Sequence, residues 1–459
     1  MIPQKFLNRM RDLLGDDFDA FETALEAPAV RALRVNTIKT SSEKLIPLLP
    51  FSTTPLPFAA DAYYAPEDKV GALPCHHAGM LYMQDPGAIS TVSAVAPEKG
   101  LRVIDLCAAP GGKSTQLAAA IGDEGVLVSN EYVTARCRIL QGNVERIGAK
   151  NTVVTNLSTS ALADFYGACF DLVVADVPCS GEGMFRKYAV ASEEWSEENV
   201  QMCAARSRDI LEDAAALTAT GGRLLYSTCT FSLEENEYNV DDFLCTHPDF
   251  SLIPVAPEIA AATADGICFD GCKNDLSLCR RFYPHLSPGE GQFVALLQKS
   301  GDTVCKKAQK VQGALPSPDA KASALANAFL SENLEQLPEG TRLTLLRDCV
   351  WLTPDFPIPS RGIFAPGVCL GTLQKGRVEP HHQFASAYGG VYRRRIALSH
   401  GDPRVLAYLR GEEIPLAESE RRAGNGYAAV LYEGAPLGGG KIVSDRLKNH
   451  YPKGLRNRG

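Results

Sequence analysis

The stretch VIDLCAAPGGKSTQL, residues 103–117, decides the fold. Val103 to Leu106 form an apolar run of strand type, and STQLAAAI (114–121) has helical character. Between them lies a turn of small residues. Small side chains let backbone approach a ligand closely, and the free N–H groups at a helix start favour an anionic group. The spacing GxGxxG of a dinucleotide fingerprint is absent. GGKST suggests a P-loop, but the leading glycine of that motif is missing.

The flanking segments repeat the same grammar. VLVSNE (126–131), NTVVTNL (151–157), FDLVVADVP (170–178), GRLLYSTCT (222–230) and GQFVALLQK (291–299) read as strands. Helices are predicted from Pro86, over 134–147 with Ile139, Val144 and Ile147 on the apolar side, and over 196–218. Alternating strands and helices at this spacing imply a mostly parallel α/β sheet covered on both faces. Glu131, closing the second strand, is placed to accept hydrogen bonds from ribose hydroxyls.

Strand four ends in Asp176-Val177-Pro178-Cys179 and strand five in Ser227-Thr228-Cys229. Ligands of open parallel sheets bind outside the carboxyl ends of the strands, so both cysteines should face the ligand crevice. A thiolate is a strong nucleophile once its pKa is lowered. Added to carbon 6 of a cytosine, it makes carbon 5 enamine-like and able to attack an electrophilic methyl. A carboxyl group near N3, for which Asp176 is placed, would offset the charge that develops. This chemistry does not choose between Cys179 and Cys229.

The remaining sequence sets the surroundings. The chain has 459 residues, 45% hydrophobic and 22% charged, with a net charge of -8. That length predicts several domains. Residues 1–75 read as a small leading domain, helical over 2–26 with a strand over 32–39. Residues 76–299 form the catalytic domain, 300–328 a polar linker, and 329–459 a strand-rich C-terminal region. The charged N-terminus is no signal peptide, and no apolar run predicts a membrane span. The fourteen cysteines include no CxxC pair, which suits free thiols in a reducing cytoplasm. Cys268, Cys272 and Cys279 lie close in sequence, but a metal site would need further ligands, and none is expected. Segment 375–395 carries five basic residues against one acidic, and 441–459 six against one. With Tyr392 and Tyr451 among them, these segments could hold RNA.

At the quoted residues the chain resembles the NOL1/NOP2/Sun-type RNA 5-methylcytosine methyltransferases, above all their bacterial RsmF branch. The family's cofactor motif is similar to Cys107-Ala108-Ala109-Pro110-Gly111-Gly112-Lys113. Its Asp-Pro-Cys motif is similar to Asp176, Pro178 and Cys179, its Thr-Cys motif to Thr228-Cys229, and residues 180–187 to the RsmF branch. Gln84-Asp85-Pro86 resembles the segment before the cofactor loop, and residues 440–456 a PUA-like RNA-binding domain. The resemblance implies a Rossmann-like class I methyltransferase core using S-adenosylmethionine. It makes Cys229 the nucleophile and Cys179 the residue that assists product release. It makes residues 107–113, Glu131 and Asp176 cofactor or target-base contacts, with Arg136 as a further cofactor contact. One position departs: Ser158 stands where the family usually has an aspartate near the adenine, with Asn156 as a possible substitute. The implied substrate is 16S rRNA of the small ribosomal subunit near the decoding region. A tRNA or 23S rRNA substrate and a non-catalytic assembly factor are the alternatives. A cytoplasmic monomer with no DNA or membrane partner is expected.

Overall fold

The computed structural model describes residues 2–66, 69–301, 315 and 317–457. Two helices, Gln4–Leu14 and Phe18–Glu26, open the chain. Their apolar stripe of Phe6, Met10, Phe18 and Phe21 is buried against Phe185, Trp195, Phe231 and Tyr283 of the catalytic part. An antiparallel sheet follows, from β1 (Ala32–Val35), β2 (Thr54–Leu56), β3 (Ala59–Tyr64) and β4 (Leu81–Gln84), in the order β2-β3-β1-β4. The leading sheet thus takes in residues beyond 75.

The central sheet is built around β5 (Arg102–Asp105), β6 (Val126–Asn130), β7 (Thr152–Thr155), β8 (Phe170–Asp176) and β9 (Thr218–Thr228). These five strands are parallel, in the order β9-β8-β5-β6-β7. Val103, Ile104, Leu127, Val128, Val173 and Leu224 are fully buried, as strands covered on both faces must be. Beyond β9 the direction changes. The antiparallel strands β10 (Phe250–Leu252), β11 (Ala264–Asp265), β12 (Arg280–Phe282) and β13 (Gln292–Lys299) extend that edge. At the other edge Ile363–Ala365, from the C-terminal region, pairs with β7. The chain reverses its winding beside β5, so the crevice opens over the carboxyl ends of β5 and β8.

Three sequence expectations need correction. In the helix Thr134–Ile147 the buried side is Cys137, Leu140, Val144 and Ile147, while Ile139 is 55% exposed. One residue's offset on a helix turns a side chain by about 100°, enough to take it off the core face. Much of the expected linker, 302–314 and 316, lies outside the described residues, but a helix already runs over Ala320–Asn333. Asp319 caps it by accepting from the Ala322 N–H. Tyr392 and Tyr451 are core residues, 1% and 3% exposed, and offer no stacking surface. The basic residue Arg458 is outside the described residues.

The last region folds into two sheets. The final one has the order Arg395–Leu398, Gly426–Tyr432, Ala435–Val443, Arg446–Asn449, Ile414–Pro415. Its apolar face does not close on itself. Ile396, Leu398, Tyr408 and Val430 share one core with Leu33, Val35, Met80 and Leu81 of the leading sheet. Lys39 crosses this junction, donating to the carbonyls of Ala78, Arg146 and Pro436 and to Ser386 Oγ. No helix among the described residues is long and apolar enough to cross a membrane.

Candidate active site

The quoted loop sits at the carboxyl end of β5. Gly111 caps the helix Gly112–Ile121 with φ +114, a conformation open to glycine, and a Cβ there would press on Leu140. Lys113, in the first turn, reaches across to the end of β8, where its Nζ lies 2.8 Å from Asp176 Oδ2. Burial alone would lower the lysine's pKa, but Asp176 outweighs it and the ammonium is held above its ordinary value. Asp176 Oδ1 accepts from Ser227 Oγ at 2.5 Å and from Gln292 Nε2 at 3.3 Å. Three elements therefore orient one carboxylate.

The two cysteines meet beside it. Cys179 Sγ and Cys229 Sγ are 3.1 Å apart, and the Cys229 N–H donates to Cys179 Sγ at 3.3 Å. Their hydrogen bond and then burial push the Cys179 thiol well above its usual range, which keeps it protonated. Every described cysteine is free, and no group of metal-ligating side chains occurs among the described residues. Cys279 is buried in the core, while Cys268 is exposed.

A cavity of about 540 Å³ opens beside the Lys113–Asp176 pair, and neither Cys179 nor Cys229 lines it. Cys107–Pro110, Lys113 and Asp176 form one wall, and Arg31, Tyr82, Gln84 and Asp85 of the leading part form another. Met184, Arg186, Lys187 and Tyr188 close a third side. That last stretch is bolted down. Arg186 pairs with Glu290 and donates to the Ala24 carbonyl, and Lys187 pairs with Asp85 at 2.7 Å.

Family models match three parts of the chain. The N-terminal domain of 16S rRNA methyltransferase RsmF matches residues 2–86, 16S rRNA methyltransferase RsmB/F matches 92–298, and the methyltransferase RsmF PUA domain matches 395–457. The ribosomal RNA small subunit methyltransferase F of Vibrio vulnificus (strain YJ016) is 30% identical over 473 residues, covering 99% of this chain and 97% of its own. That of Klebsiella pneumoniae (strain 342) is also 30% identical over 473 residues, covering 99% and 96%. The chain belongs to the RsmF family of 16S rRNA methyltransferases. Among solved structures, a methyltransferase homolog from Pyrococcus horikoshii aligns with a TM-score of 0.57 at 26% identity, over 65% of this chain and 95% of that one.

As an RsmF-family, S-adenosylmethionine-dependent methyltransferase, the chain has residues that fit that cofactor. Asp105 lines the cavity, and its Oδ1 is buried without a hydrogen-bond partner, a polar atom that a bound polar group can satisfy. Glu131 is 4% exposed at the end of β6, and Arg136 links it to the loop, lying 3.5 Å from Glu131 Oε2 and donating to the Ala109 carbonyl at 2.7 Å. Ser158 caps the helix Thr159–Tyr166, accepting from the Ala161 N–H. Asn156 donates to the carbonyls of Glu131 and Tyr132, and so shapes the turn after β6.

Some residues around the crevice were not visible in the sequence as part of it. Asp105 stands inside the quoted stretch, and an acid ending an apolar strand was the available signal. Ser227 and Gln292 become partners of Asp176 only through strand pairing. Glu182, between two glycines in the stretch 180–187, and Glu235, in the acidic run 234–237, are both buried, at 1% and 0%.

Proposed function

We propose that this methyltransferase modifies carbon 5 of a cytosine in RNA, in 16S rRNA near the decoding region, through a covalent bond from Cys229 to carbon 6. The observation that carries the reading is the pair of free thiols 3.1 Å apart beside the Lys113–Asp176 pair. S-adenosylmethionine, held by residues 107–113, Glu131 and Arg136, supplies an electrophilic methyl when bound. The target base enters from the cavity between the leading part and the core, out of its stack. The Cys229 thiolate adds to carbon 6. The proton released by Cys229 passes to N3, and the Asp176 carboxylate, held by Lys113, Ser227 and Gln292, stabilises the protonated N3 side. Methyl transfer leaves a proton on carbon 5. Cys179 gives its proton to the departing Cys229 sulfur and takes the carbon 5 proton in its place, so the Sγ–carbon 6 bond breaks and the aromatic ring returns.

The relatives' names support the small-subunit substrate. The PUA sheet supports RNA contact in the basic segment expected, 441–459, but with a different aromatic. Lys441 and Lys448 are cross-strand partners, and the Lys441 ammonium lies 5.3 Å from the Tyr427 ring. Tyr427 is thus the aromatic among the basic residues.

Single cysteine substitutions test the reading. Cys229→Ala should abolish both methylation and the RNA–protein crosslink seen on a denaturing gel. Cys179→Ala should form the crosslink and retain it. Normal methylation by Cys229→Ala sinks the assignment, and labelled cytosine against labelled uracil substrates tests the base.

A further inference from the structure

Behind the two thiols lies a chain of buried oxygen atoms. Ser180, which follows Cys179, places its Oγ 2.6 Å from Glu235 Oε2 and 2.9 Å from Thr230 Oγ1. Thr230 follows Cys229, and its Oγ1 lies 2.7 Å from Glu182 Oε2. The Ser180 N–H donates to Glu235 Oε1 at 2.8 Å. Glu182 also receives Trp195 Nε1, the Phe231 N–H and Ser232 Oγ. All four residues of the chain are at most 6% exposed.

A proton count gives this arrangement its meaning. Glu235, Ser180, Thr230 and Glu182 make three oxygen–oxygen contacts in series, each at hydrogen-bond distance. The two hydroxyls bring only two protons. The third must sit on a carboxyl. Glu182 faces four donors and is the acceptor throughout, whereas Glu235 faces fewer, the Ser180 N–H and the Ser180 and Thr230 hydroxyls. The proton therefore belongs on Glu235, which then donates to Ser180, Ser180 to Thr230, and Thr230 to Glu182.

We propose that Glu235, Ser180, Thr230 and Glu182 form a proton-sharing clasp that fixes the reacting separation of Cys179 and Cys229. Glu235 and Glu182 are then positioning residues, touching neither substrate nor cofactor. The inference rests on the cysteine mechanism proposed above. Burial, with like charge from Glu182 adding to it, pushes the Glu235 carboxyl up to about 7. The titratable groups facing Glu235 are Glu182, Cys179, Cys203 of the helix Glu197–Leu217, and Tyr226 of β9, whose hydroxyl donates to the Glu235 carbonyl. When Glu235 loses its proton, the Ser180–Thr230 link loses its hydrogen, and two buried carboxylates repel.

The test uses the full chain, a small-subunit rRNA substrate and labelled S-adenosylmethionine. Glu235→Ala should lower turnover about tenfold, equivalent to one broken link in the barrier, while cofactor affinity by calorimetry stays as in the wild type. Glu235→Gln should recover most of that loss, because its amide donates to Ser180 Oγ in place of the shared proton. The ratio of Glu235→Gln to wild-type turnover should rise between about pH 6 and pH 8, since only the wild-type clasp loses its proton. Taking the ratio cancels the cysteines' own titration. Wild-type turnover in Glu235→Ala, a Gln variant as impaired as Ala, or a flat ratio overturns the proposal. If Glu235→Ala does not fold, Ser180→Ala carries the same test, with a several-fold loss expected and wild-type turnover fatal. A Cys229→Ala control separates the two failures. Activity in that control brings down the cysteine reading and the clasp with it. A dead control beside a wild-type Glu235→Ala brings down the clasp alone.

Discussion

Asp105 ends β5 with no exposed surface, accepts from Ser114 Oγ at 2.7 Å, and lies near Asp176. Burial first, with that like charge adding to it, pushes its carboxyl up to about 7. The folded protein therefore holds a proton there that the unfolded chain releases from about pH 4 upward. Between those values folding takes up a proton, so stability falls as pH rises toward 7. Urea midpoints across that window should decline more steeply for the wild type than for Asp105→Asn, and equal slopes would count against the burial argument. At this scale the sequence was legible wherever a side chain acts from the end of a strand. Cys107 to Lys113, Glu131, Asp176, Cys179 and Cys229 all stand there, and a strand's end is readable from its apolar run. Glu235 and Glu182 were not legible, because their burial comes from loops folding over them. Tyr392 and Tyr451 misled for the same reason: basic neighbours in sequence say nothing of what covers a ring.

The loops after β8 and β9 act as one element. The Gly183 N–H donates to the Cys229 carbonyl, and a Cβ on Gly183 would stand 2.7 Å from the Gly291 carbonyl oxygen and 2.9 Å from that of Cys229. Neither atom is a flexible side-chain end, so backbone must move. Gly183→Ala should cost about 1–3 kcal/mol, as overpacking does. It should also shift the turn that carries Cys229, so crosslinking to RNA should drop even in preparations whose circular dichroism is native. Unchanged crosslinking would place the turn's rigidity elsewhere. Helices were the readable elements, since caps and a 3.6-residue period mark them locally. The strand over 291–299 was read, but its antiparallel direction and the short strands β10 to β12 were not, because strand direction depends on what the connecting chain does. The same holds for Ile363–Ala365, which reaches β7 from the far side of the expected linker.

The first and last parts of the molecule share a core, and each lacks a complete one alone. Leu33, Val35, Met80 and Leu81 would meet water without Ile396, Leu398, Tyr408 and Val430. Each buried aliphatic or aromatic side chain of this kind contributes about 1.5–3 kcal/mol. A chain ending at residue 394 should therefore bind a hydrophobic dye and be cleaved rapidly by protease in the leading sheet. Resistance to protease there would show that the leading sheet stands by itself. The leading part also lines the catalytic cavity, through Arg31, Tyr82 and Gln84, and Arg34 of β1 donates to the Gly112 carbonyl and Thr115 Oγ1 at the start of the cofactor-loop helix. Damage at the C-terminal sheet can thus reach the reaction centre by way of β1 and β4.

That shared core has a bearing on how the protein is made. During translation the leading sheet leaves the ribosome long before Ile396 is added. Its apolar face must wait, uncovered, until the sheet that begins at Arg395 has been made. A polypeptide halted by a premature stop codon would keep that face open and present it to chaperones and proteases. The cell would then be unable to keep a shortened, half-active copy of this methyltransferase: it would hold the finished chain or none.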